Sequence, residues 1–297
     1  MNVSGQIFQI QNFSLHDGHG IRTVIFFSGC PLRCRWCANP EGMTREPSLA
    51  FYKNLCAGCG RCTAVCPNHL GIDWENPDIR KNCRSCGACA SVCPTGARTL
   101  YGRRITPQEL LDELEENLSV FRFSGGGVTL SGGEPTAQPD FFNQVCRLLY
   151  DTGIRLAMES SGAFDMPRVM EGLSRMDTIF TDIKCMDEER HIRYTGVSNR
   201  PILENIRAYA GLSARIVIRV PVIKGVNADE ENIRETARFV RRHLPAARME
   251  LLPYHTLGKS KYQALSLTPP PDCFLTPDEE EMKRLRQLVL SEGVLMV

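Results

Sequence analysis

The segment GIRTVIFFSGCPLRCRWCANPEG, residues 20–42, joins a short β-branched and aromatic run to three closely spaced cysteines. Residues 20–28 predict a buried strand, and Cys30, Cys34 and Cys37 follow with the spacing C-x3-C-x2-C. A closed tetrahedral metal site needs four ligands, whereas a catalytic metal site keeps one position open. The motif therefore predicts a metal site that is one protein ligand short, at the carboxyl end of a strand.

Length and charge limit the kind of protein that this chain encodes. Its 297 residues suffice for one large domain with a smaller insert. The 35 Lys and Arg nearly balance the 34 Asp and Glu, so no global field attracts nucleic acid or an anionic membrane. No apolar run approaches the roughly 20 residues that span a bilayer, and the N-terminus lacks the pattern of a signal peptide. We therefore expect a cytoplasmic protein with neither nucleic-acid nor membrane partners.

Residues 50–100 contain the repeated run C-x2-C-x2-C-x3-C-P. The chain has 14 cysteines, and because the cytosol keeps thiols reduced, metal ligation is a better interpretation than disulfides. In two-cluster bacterial ferredoxins this run holds 4Fe–4S clusters, and the fourth cysteine of each run ligates the other cluster. The alternative is two structural zinc sites, although zinc motifs usually show two separated C-x2-C pairs. The expected cluster ligands are Cys56, Cys59, Cys62 and Cys93 for one cluster and Cys83, Cys86, Cys89 and Cys66 for the other.

Three cysteines lie outside these motifs. Cys146 falls on the apolar side of a predicted helix in FFNQVCRLL, and we interpret it as a small buried hydrophobe. Cys185 closely follows a predicted strand and is a candidate fourth ligand for the first motif. Cys273 has no assigned role. If Cys30, Cys34 and Cys37 bind an iron–sulfur cluster and no fourth cysteine ligates it, one iron of that cluster lacks a protein ligand.

From residue 104 the sequence alternates strand-like and helix-like segments. TPQELLDELEENL predicts a helix with Thr106 as N-cap and Glu109 completing a capping box, and a second such start is predicted at Thr276 to Glu279. The alternation indicates about six β/α units with parallel strands, which fits a partial open barrel or a doubly wound sheet. Ligands of both architectures bind at the carboxyl ends of the strands. The strand-end candidates are Cys30, Gly132 to Glu134, Glu159, Asp182 to Lys184, Arg219 to Pro221 and His255.

The motifs GCPLRCRWC and VTLSGGEP resemble those of radical S-adenosylmethionine (SAM) enzymes. With HDGHGIRT, WCANPE, TDIK, GVSN, IRVPVIKG and LLPYHTLGKSKY added, nearly the whole chain resembles the activating enzymes of glycyl radical enzymes, the relatives of pyruvate formate-lyase activase. The resemblance implies an α/β fold, a partial (β/α)6 open TIM-type barrel with an inserted ferredoxin-like domain. Residues 1–49 and 102–297 would form the barrel, and residues 50–101 the insert with two 4Fe–4S clusters.

The same resemblance implies a cofactor set and a radical reaction. SAM would chelate the open iron of the first of three 4Fe–4S clusters through its amino and carboxylate groups, with a monovalent cation near that carboxylate. Reductive cleavage of SAM would give a 5′-deoxyadenosyl radical that takes a hydrogen atom from one glycine of a large partner enzyme. A flavodoxin or a ferredoxin would supply the electron.

The resemblance also implies roles for individual residues, at the positions of this sequence that match the family motifs. Gly132, Gly133 and Glu134 correspond to the stretch that receives the methionyl amino group, although Glu134 could instead satisfy the amides of its own turn. Asp17 in HDGHG corresponds to a loop near the incoming glycine, where His19 replaces the usual proline. The other SAM-contacting positions implied are Trp36, Cys37, Ala38, Glu159, Asp182, Ile183, Lys184, Arg219 and His255.

Some of these positions have plain structural interpretations. Trp36 could anchor its loop, Asp182 and Lys184 could form a buried salt bridge, and a histidine such as His255 is often structural. Glu159 has a longer side chain than the aspartate that one relative in the family has at this position.

Two rival functions stay open at this stage. One is a radical SAM enzyme that acts on a small molecule or another peptide, and the other is a ferredoxin-type electron carrier with an α/β docking module. The carrier predicts no SAM binding. The insert clusters could relay electrons or form a docking surface, and the sequence does not choose the partner enzyme.

Overall fold

The computed structural model describes residues 3–71 and 76–297, so four residues of the predicted insert lie outside the described part. The strands are β1 (Gly5–Ser14), β2 (Arg22–Phe27), β3 (Ser48–Phe51), β4 (Arg98–Tyr101), β5 (Arg103–Ile105), β6 (Gly127–Gly132), β7 (Arg155–Ser160), β8 (Thr178–Asp182), β9 (Arg215–Val222), β10 (Arg248–Pro253) and β11 (Leu295–Met296). The α-helices are α1 (Arg61–Ala64), α2 (Pro77–Lys81), α3 (Ala88–Ser91), α4 (Pro107–Leu114), α5 (Leu118–Ser124), α6 (Pro139–Asp151), α7 (Met166–Leu173), α8 (Glu188–Thr195), α9 (Arg200–Ala208), α10 (Glu230–His243), α11 (Lys259–Leu265) and α12 (Glu279–Ser291).

Nine strands form one sheet in the order β11-β10-β9-β8-β7-β6-β2-β1-β5. All pairs from β2 to β11 are parallel, whereas β1 and β5 extend the β2 edge in antiparallel register. In the described part of the chain the two edge strands, β11 and β5, do not pair with each other, so the sheet is open. The six predicted strands are therefore confirmed within a mostly parallel α/β fold, and β1, β5 and β11 are additional in this sheet.

One face of the sheet carries the apolar core. Alternate strand residues such as Ile25, Leu130 and Ile218 are fully buried in one large cluster with side chains of α4, α6, α7, α9, α10 and α12. Because strand side chains alternate between faces, the residues between them point away from these helices. The opposite face of the sheet holds a row of charged side chains that includes Arg22, Glu159, Arg219 and Glu250. These side chains help to position the functional site.

The predicted N-terminus of α4 agrees with the structure, whereas that of α12 does not. The capping box of α4 is confirmed, since the Thr106 hydroxyl accepts from the Glu109 amide and Glu109 accepts from the Thr106 amide. The predicted start at Thr276 is wrong by two residues. Asp278 is the N-cap of α12 and shares a capping box with Glu281, because its side chain accepts from the Glu281 amide at 2.9 Å.

The cysteine-rich segment leaves and rejoins the sheet through an antiparallel pair, β3 and β4. Its two halves repeat in conformation as well as in sequence, because positive φ angles recur at the offset that relates the cysteine runs. The matched positive-φ positions are Gly58 and Ser85, Gly60 and Gly87, and His69 and Gly96. No helix among the described residues is both long and apolar enough to cross a bilayer.

Cys146 is fully buried in the apolar core, as predicted. We expect Cys146→Ala to lower the free energy of unfolding by roughly 1 kcal/mol, because one buried atom is removed, and to leave bound iron unchanged. Urea unfolding and colorimetric iron analysis measure both quantities. Cys62→Ala is the control that should lose iron, and iron loss in Cys146→Ala would contradict the interpretation.

Candidate functional site

A cleft of about 540 Å³ lies at the carboxyl ends of the parallel strands. Strands β6, β7, β8, β9 and β10 each deliver residues to it, and the cysteine loop that follows β2 completes it, as expected for ligand sites of parallel α/β sheets. The predicted site residues that line it are Cys30, Cys34, Trp36, Cys37, Ala38, Gly132, Gly133, Glu159, Asp182, Lys184 and His255. Four predicted residues do not line it, namely Asp17, Glu134, Ile183 and Arg219.

The three cysteines of the first motif share this cleft on a loop held by main-chain hydrogen bonds. The Cys30 amide donates to the Met43 carbonyl at 3.3 Å, and the Arg33 amide donates to the Thr195 carbonyl at 2.7 Å. Burial raises the pKa of both Cys30 and Cys34 to about 12, so metal binding must displace protons from these thiols. Cys185, the candidate fourth ligand, is buried and does not line the cleft.

Gly132 and Gly133 approach neighbouring main chain too closely for a side chain, Gly132 at β2 and Gly133 at Gly29 and Gly42. Gly132 has a φ of +111°, and a Cβ atom there would lie 2.4 Å from the Phe27 amide nitrogen. A Cβ on Gly133 would lie 2.3 Å from the Gly42 carbonyl oxygen. The turn therefore requires glycine at both positions, and its bare backbone forms one wall of the cleft.

Glu134 lies beneath this wall and is fully buried. Its carboxylate accepts from the Thr136 hydroxyl at 2.6 Å, from the Ser160 hydroxyl at 3.0 Å, and from the Ser161 amide at 2.8 Å and hydroxyl at 2.6 Å. Burial raises the pKa of Glu134, while these hydrogen bonds oppose the rise. The carboxylate ties the Gly-Gly turn to the end of β7. It also accepts from the Thr136 amide of its own turn at 3.3 Å, which is the alternative considered from the sequence.

Asp182 and Lys184 form an ion pair at the end of β8, with the Lys184 ammonium 2.7 Å from Asp182. Burial lowers the pKa of Lys184, but the Asp182 carboxylate opposes this effect, and the pKa lies above its ordinary value. Lys184 is therefore a fixed cation beside the cysteine loop. Ile183 is buried in the apolar core on the other face, as the strand alternation predicts.

Arg219 lies below the cleft and contacts two carboxylates. It forms ion pairs with Glu159, which lines the cleft, and with Glu250 at 2.7 Å. Its guanidinium carbon lies 3.9 Å from the centroid of the Phe180 ring. Burial raises the pKa of Glu159 and Arg219 opposes that rise, so this arginine favours the charged carboxylate at the cleft wall.

The loop of residues 16–20, which contains Asp17, is held by the charged face of the sheet. Arg219 donates to the His16 carbonyl at 3.3 Å, and the Thr129 hydroxyl donates to the Asp17 carbonyl at 2.6 Å. Arg22 beneath the loop donates to Thr129 at 2.6 Å, and burial lowers the pKa of its guanidinium to about 10. Arg219 therefore connects this loop to the cleft wall.

Two of the remaining predicted residues differ in their surroundings. Trp36 is 8% exposed and packs in a small apolar cluster with Tyr194 and Phe274, so it anchors its loop while it lines the cleft. His255 is exposed at the cleft edge and follows β10.

The C-terminal part of the chain supplies site residues that we did not single out from the sequence. Lys261 on α11 forms an ion pair with Glu41 at 2.5 Å and donates to Asn39 at 3.0 Å. Tyr262 donates to the Cys37 carbonyl at 2.9 Å. These residues fasten the end of the cysteine loop, and their segments, ANPE and GKSKY, belong to motifs already noted as family-like.

The eight insert cysteines line two small cavities. One cavity is lined by Cys56, Cys59, Cys62 and Cys93, and the other by Cys66, Cys83, Cys86 and Cys89 together with Cys62. In both, the last cysteine of one run joins the first three of the other run, which is the crossed arrangement expected from the spacing. No three His, Cys, Asp or Glu side chains in the described ranges converge as the ligands of a single metal ion. In a four-iron cluster each ligand binds a different iron, so such convergence is not required.

Comparison with known proteins identifies close relatives. Residues 24–240 match the family model described as the radical SAM superfamily. The chain is 41% identical over 268 residues to the benzylsuccinate synthase activating enzyme of Thauera aromatica, which covers 87% of this chain and 81% of the relative. It is 39% identical over 299 residues to the isethionate sulfite-lyase activating enzyme of Oleidesulfovibrio alaskensis, covering 98% of this chain and 96% of the relative.

A solved structure supports the fold. The radical SAM methyltransferase from Sphaerobacter thermophilus aligns with a TM-score of 0.55 at 15% identity, covering 98% of this chain and 76% of that chain.

Arg219 is 10% exposed between Glu159 and Glu250, which are 23% and 28% exposed. We expect Arg219→Met to lower the free energy of unfolding by about 2–3 kcal/mol, because two partly buried carboxylates lose their cation. Urea unfolding measures the change. Arg234 also pairs with two glutamates but is 38% exposed, so Arg234→Met is the matched control, with an expected loss below about 1 kcal/mol. Equal losses in the two variants would contradict this account of Arg219.

Proposed function

The chain belongs to the radical SAM superfamily and, within it, to the activating enzymes of glycyl radical enzymes, and we propose the reaction that it performs on this basis. It is a radical SAM oxidoreductase that activates a partner glycyl radical enzyme. The reaction is the reductive cleavage of SAM, followed by abstraction of a hydrogen atom from one glycine of the partner.

The observation that carries the proposal is the lining of the cleft. Its lining residues include three cysteines, the bare Gly132–Gly133 turn and the charged pair Asp182 and Lys184. A four-iron cluster held by three thiolates has one iron without a protein ligand. The amino and carboxylate groups of SAM are suited to occupy that position, and the cleft volume of about 540 Å³ is typical of a small-molecule site.

The cleft residues have complementary roles toward SAM. The backbone of Gly132 and Gly133 offers carbonyl groups to the methionyl ammonium, while buried Glu134 holds that turn from below. Lys184 is a cation suited to the carboxylate end, and we assign a monovalent cation to the same end. The remaining contacts that we propose are Trp36, Cys37, Ala38, Glu159, Asp182, Ile183, Arg219 and His255, of which Ile183 and Arg219 would act through the main chain or through neighbours.

When bound and reduced, the cluster supplies one electron to SAM, which yields methionine and a 5′-deoxyadenosyl radical that takes a hydrogen atom from the glycine. The protein must therefore position the glycine and exclude water, because a primary carbon radical attacks most C–H bonds. Residues 16–20, with Asp17, are held in place by Arg22, Thr129 and Arg219. We propose that this loop receives the glycine loop of the partner.

The architecture that we propose is a partial (β/α)6 open TIM-type barrel, residues 1–49 and 102–297, with a ferredoxin-like insert at residues 50–101. The open parallel sheet with helices on one face supports the barrel, and the crossed cysteine cavities support two 4Fe–4S clusters in the insert, three in all. The electron donor that we propose is a flavodoxin or a ferredoxin. A cytoplasmic location belongs to the same proposal, since the cluster cysteines require a reducing compartment.

The names of the relatives point to different partner enzymes, among them benzylsuccinate synthase, isethionate sulfite-lyase and trans-4-hydroxy-L-proline dehydratase. We propose a glycyl radical enzyme as the partner without choosing among these.

The cluster ligands can be tested by iron content. We expect the reconstituted protein to hold about 12 irons per chain and the triple variant Cys30→Ala, Cys34→Ala and Cys37→Ala to hold about 8, since only the first cluster loses its thiolates. The triple variant should also produce no 5′-deoxyadenosine. Cys273→Ala, which replaces an exposed cysteine outside the motifs, should match the wild type in both respects. SAM cleavage by the triple variant would contradict the assignment.

The partner can be tested by electron paramagnetic resonance. In an anaerobic mixture with SAM, a reductant and a cognate glycyl radical enzyme, we expect a glycyl doublet that collapses when the partner is made with α-deuterated glycine. SAM cleavage without a glycyl signal from any candidate enzyme would favour the rival that acts on a small molecule. Absence of SAM cleavage would favour the electron carrier.

A further inference from the structure

Arg98 lies where the two insert cavities meet. It is the first residue of β4 and is 5% exposed. Among the described residues, Arg98 and Cys62 are the two that line both the cavity of Cys56, Cys59, Cys62 and Cys93 and the cavity of Cys66, Cys83, Cys86 and Cys89. A buried guanidinium therefore borders both groups of four thiols.

Several contacts fix the position of Arg98. Its amide donates to the Cys93 sulfur at 3.4 Å, which links its backbone directly to one of the cavities. It pairs across the two-stranded sheet with Phe51, and its guanidinium carbon lies 4.3 Å from the centroid of the Phe51 ring. The charge is thus held by the strand that returns the insert to the main sheet.

Because Arg98 lines both cavities and is shielded from water, its positive charge acts on a cluster bound in either of them. Reduction of an iron–sulfur cluster adds a negative charge, and net charge and solvent exposure are among the factors that set its reduction potential. A cation that is shielded from water favours the reduced form more strongly than an exposed one.

We propose that Arg98 raises the reduction potentials of both auxiliary clusters. The inference rests on the proposed two-cluster insert and extends it, since it assigns a shared tuning residue to two clusters that are otherwise ligated separately. Both clusters become easier to reduce because one cation stabilises the added electron on either of them.

Two other arginines provide matched controls. Arg61 is exposed and lines only the cavity of Cys56, Cys59, Cys62 and Cys93. Arg84 is also exposed and lines only the other cavity. Removing either charge should affect one cluster at most, and weakly, because water screens an exposed charge.

The experiment is a redox titration of the reconstituted full-length protein, followed by electron paramagnetic resonance. The first cluster is recognised because SAM changes its signal, which leaves two auxiliary reduction steps to be measured. We expect Arg98→Met and Arg98→Gln to shift both auxiliary potentials to more negative values, and Arg98→Lys, which keeps the charge, to stay close to the wild type. Arg61→Met and Arg84→Met should each shift no more than one potential, by less than the Arg98 variants.

The outcomes separate this inference from the function on which it rests. If the wild type holds all three clusters but the neutral Arg98 variants leave either auxiliary potential unchanged, the shared role of Arg98 is wrong. If the auxiliary potentials shift as much in Arg98→Lys as in Arg98→Met, the proposal is also overturned. The change in side-chain shape, and not the loss of positive charge, would then explain the shift. If the wild type binds iron for a single cluster, the two-cluster proposal itself fails. Iron content of each variant shows whether its clusters are intact, and Arg98→Gln serves if Arg98→Met does not assemble.

Discussion

The site depends on a shortage of protein ligands, three thiols in one cleft where a closed cluster would need four. The chain places at least four cysteines around each insert cavity, so the shortage at the first motif is a local feature and not a general limit of this sequence. The loop that carries the three cysteines is fastened at both ends, through main-chain bonds after β2 and through Lys261 and Tyr262 at its far end. Such fastening holds the three thiols at the cleft wall, as the proposed three-ligand cluster requires.

Buried charge organises the remainder of the site. Glu134 is fully buried and satisfied by Thr136, Ser160 and Ser161, which fixes the Gly-Gly turn against β7. Arg219 is similarly enclosed by Glu159, Glu250 and the ring of Phe180. Buried ionic groups of this kind add little net stability, because desolvation offsets most of the attraction, but removing one member is costly. We interpret them as groups that hold the geometry of the cleft wall and of the loop that contains Asp17.

Most of the fold and site that could be predicted from the sequence came from patterns of residues that are close together in the chain. The cysteine runs and the hydrophobic strand segments are contiguous in the chain, so their patterns indicated the cavity-lining residues and six strands directly. Strand β1 was not identified, although its segment GQIFQIQNF alternates apolar and polar residues, because it is stabilised by antiparallel pairing with β2.

Other features of the site depend on contacts between residues that are far apart in the sequence. Two partners of Glu134, Ser160 and Ser161, lie at the end of another strand, Arg219 contacts the distant loop of His16, and Arg98 reaches both cavities only after the insert folds. The N-cap of α12 was misplaced because Thr276 and Asp278 both offer capping side chains, and only the structure shows which accepts the amide.

The most direct test of the central claim is hyperfine spectroscopy of the reduced protein with SAM labelled at the methionyl amino nitrogen and carboxylate oxygen. If the three cysteines leave one iron open to SAM, the reduced first cluster will show coupling to both labels, and the triple variant Cys30→Ala, Cys34→Ala and Cys37→Ala will show none. Reduced wild-type protein that holds the first cluster and binds SAM without coupling to either label would contradict the claim.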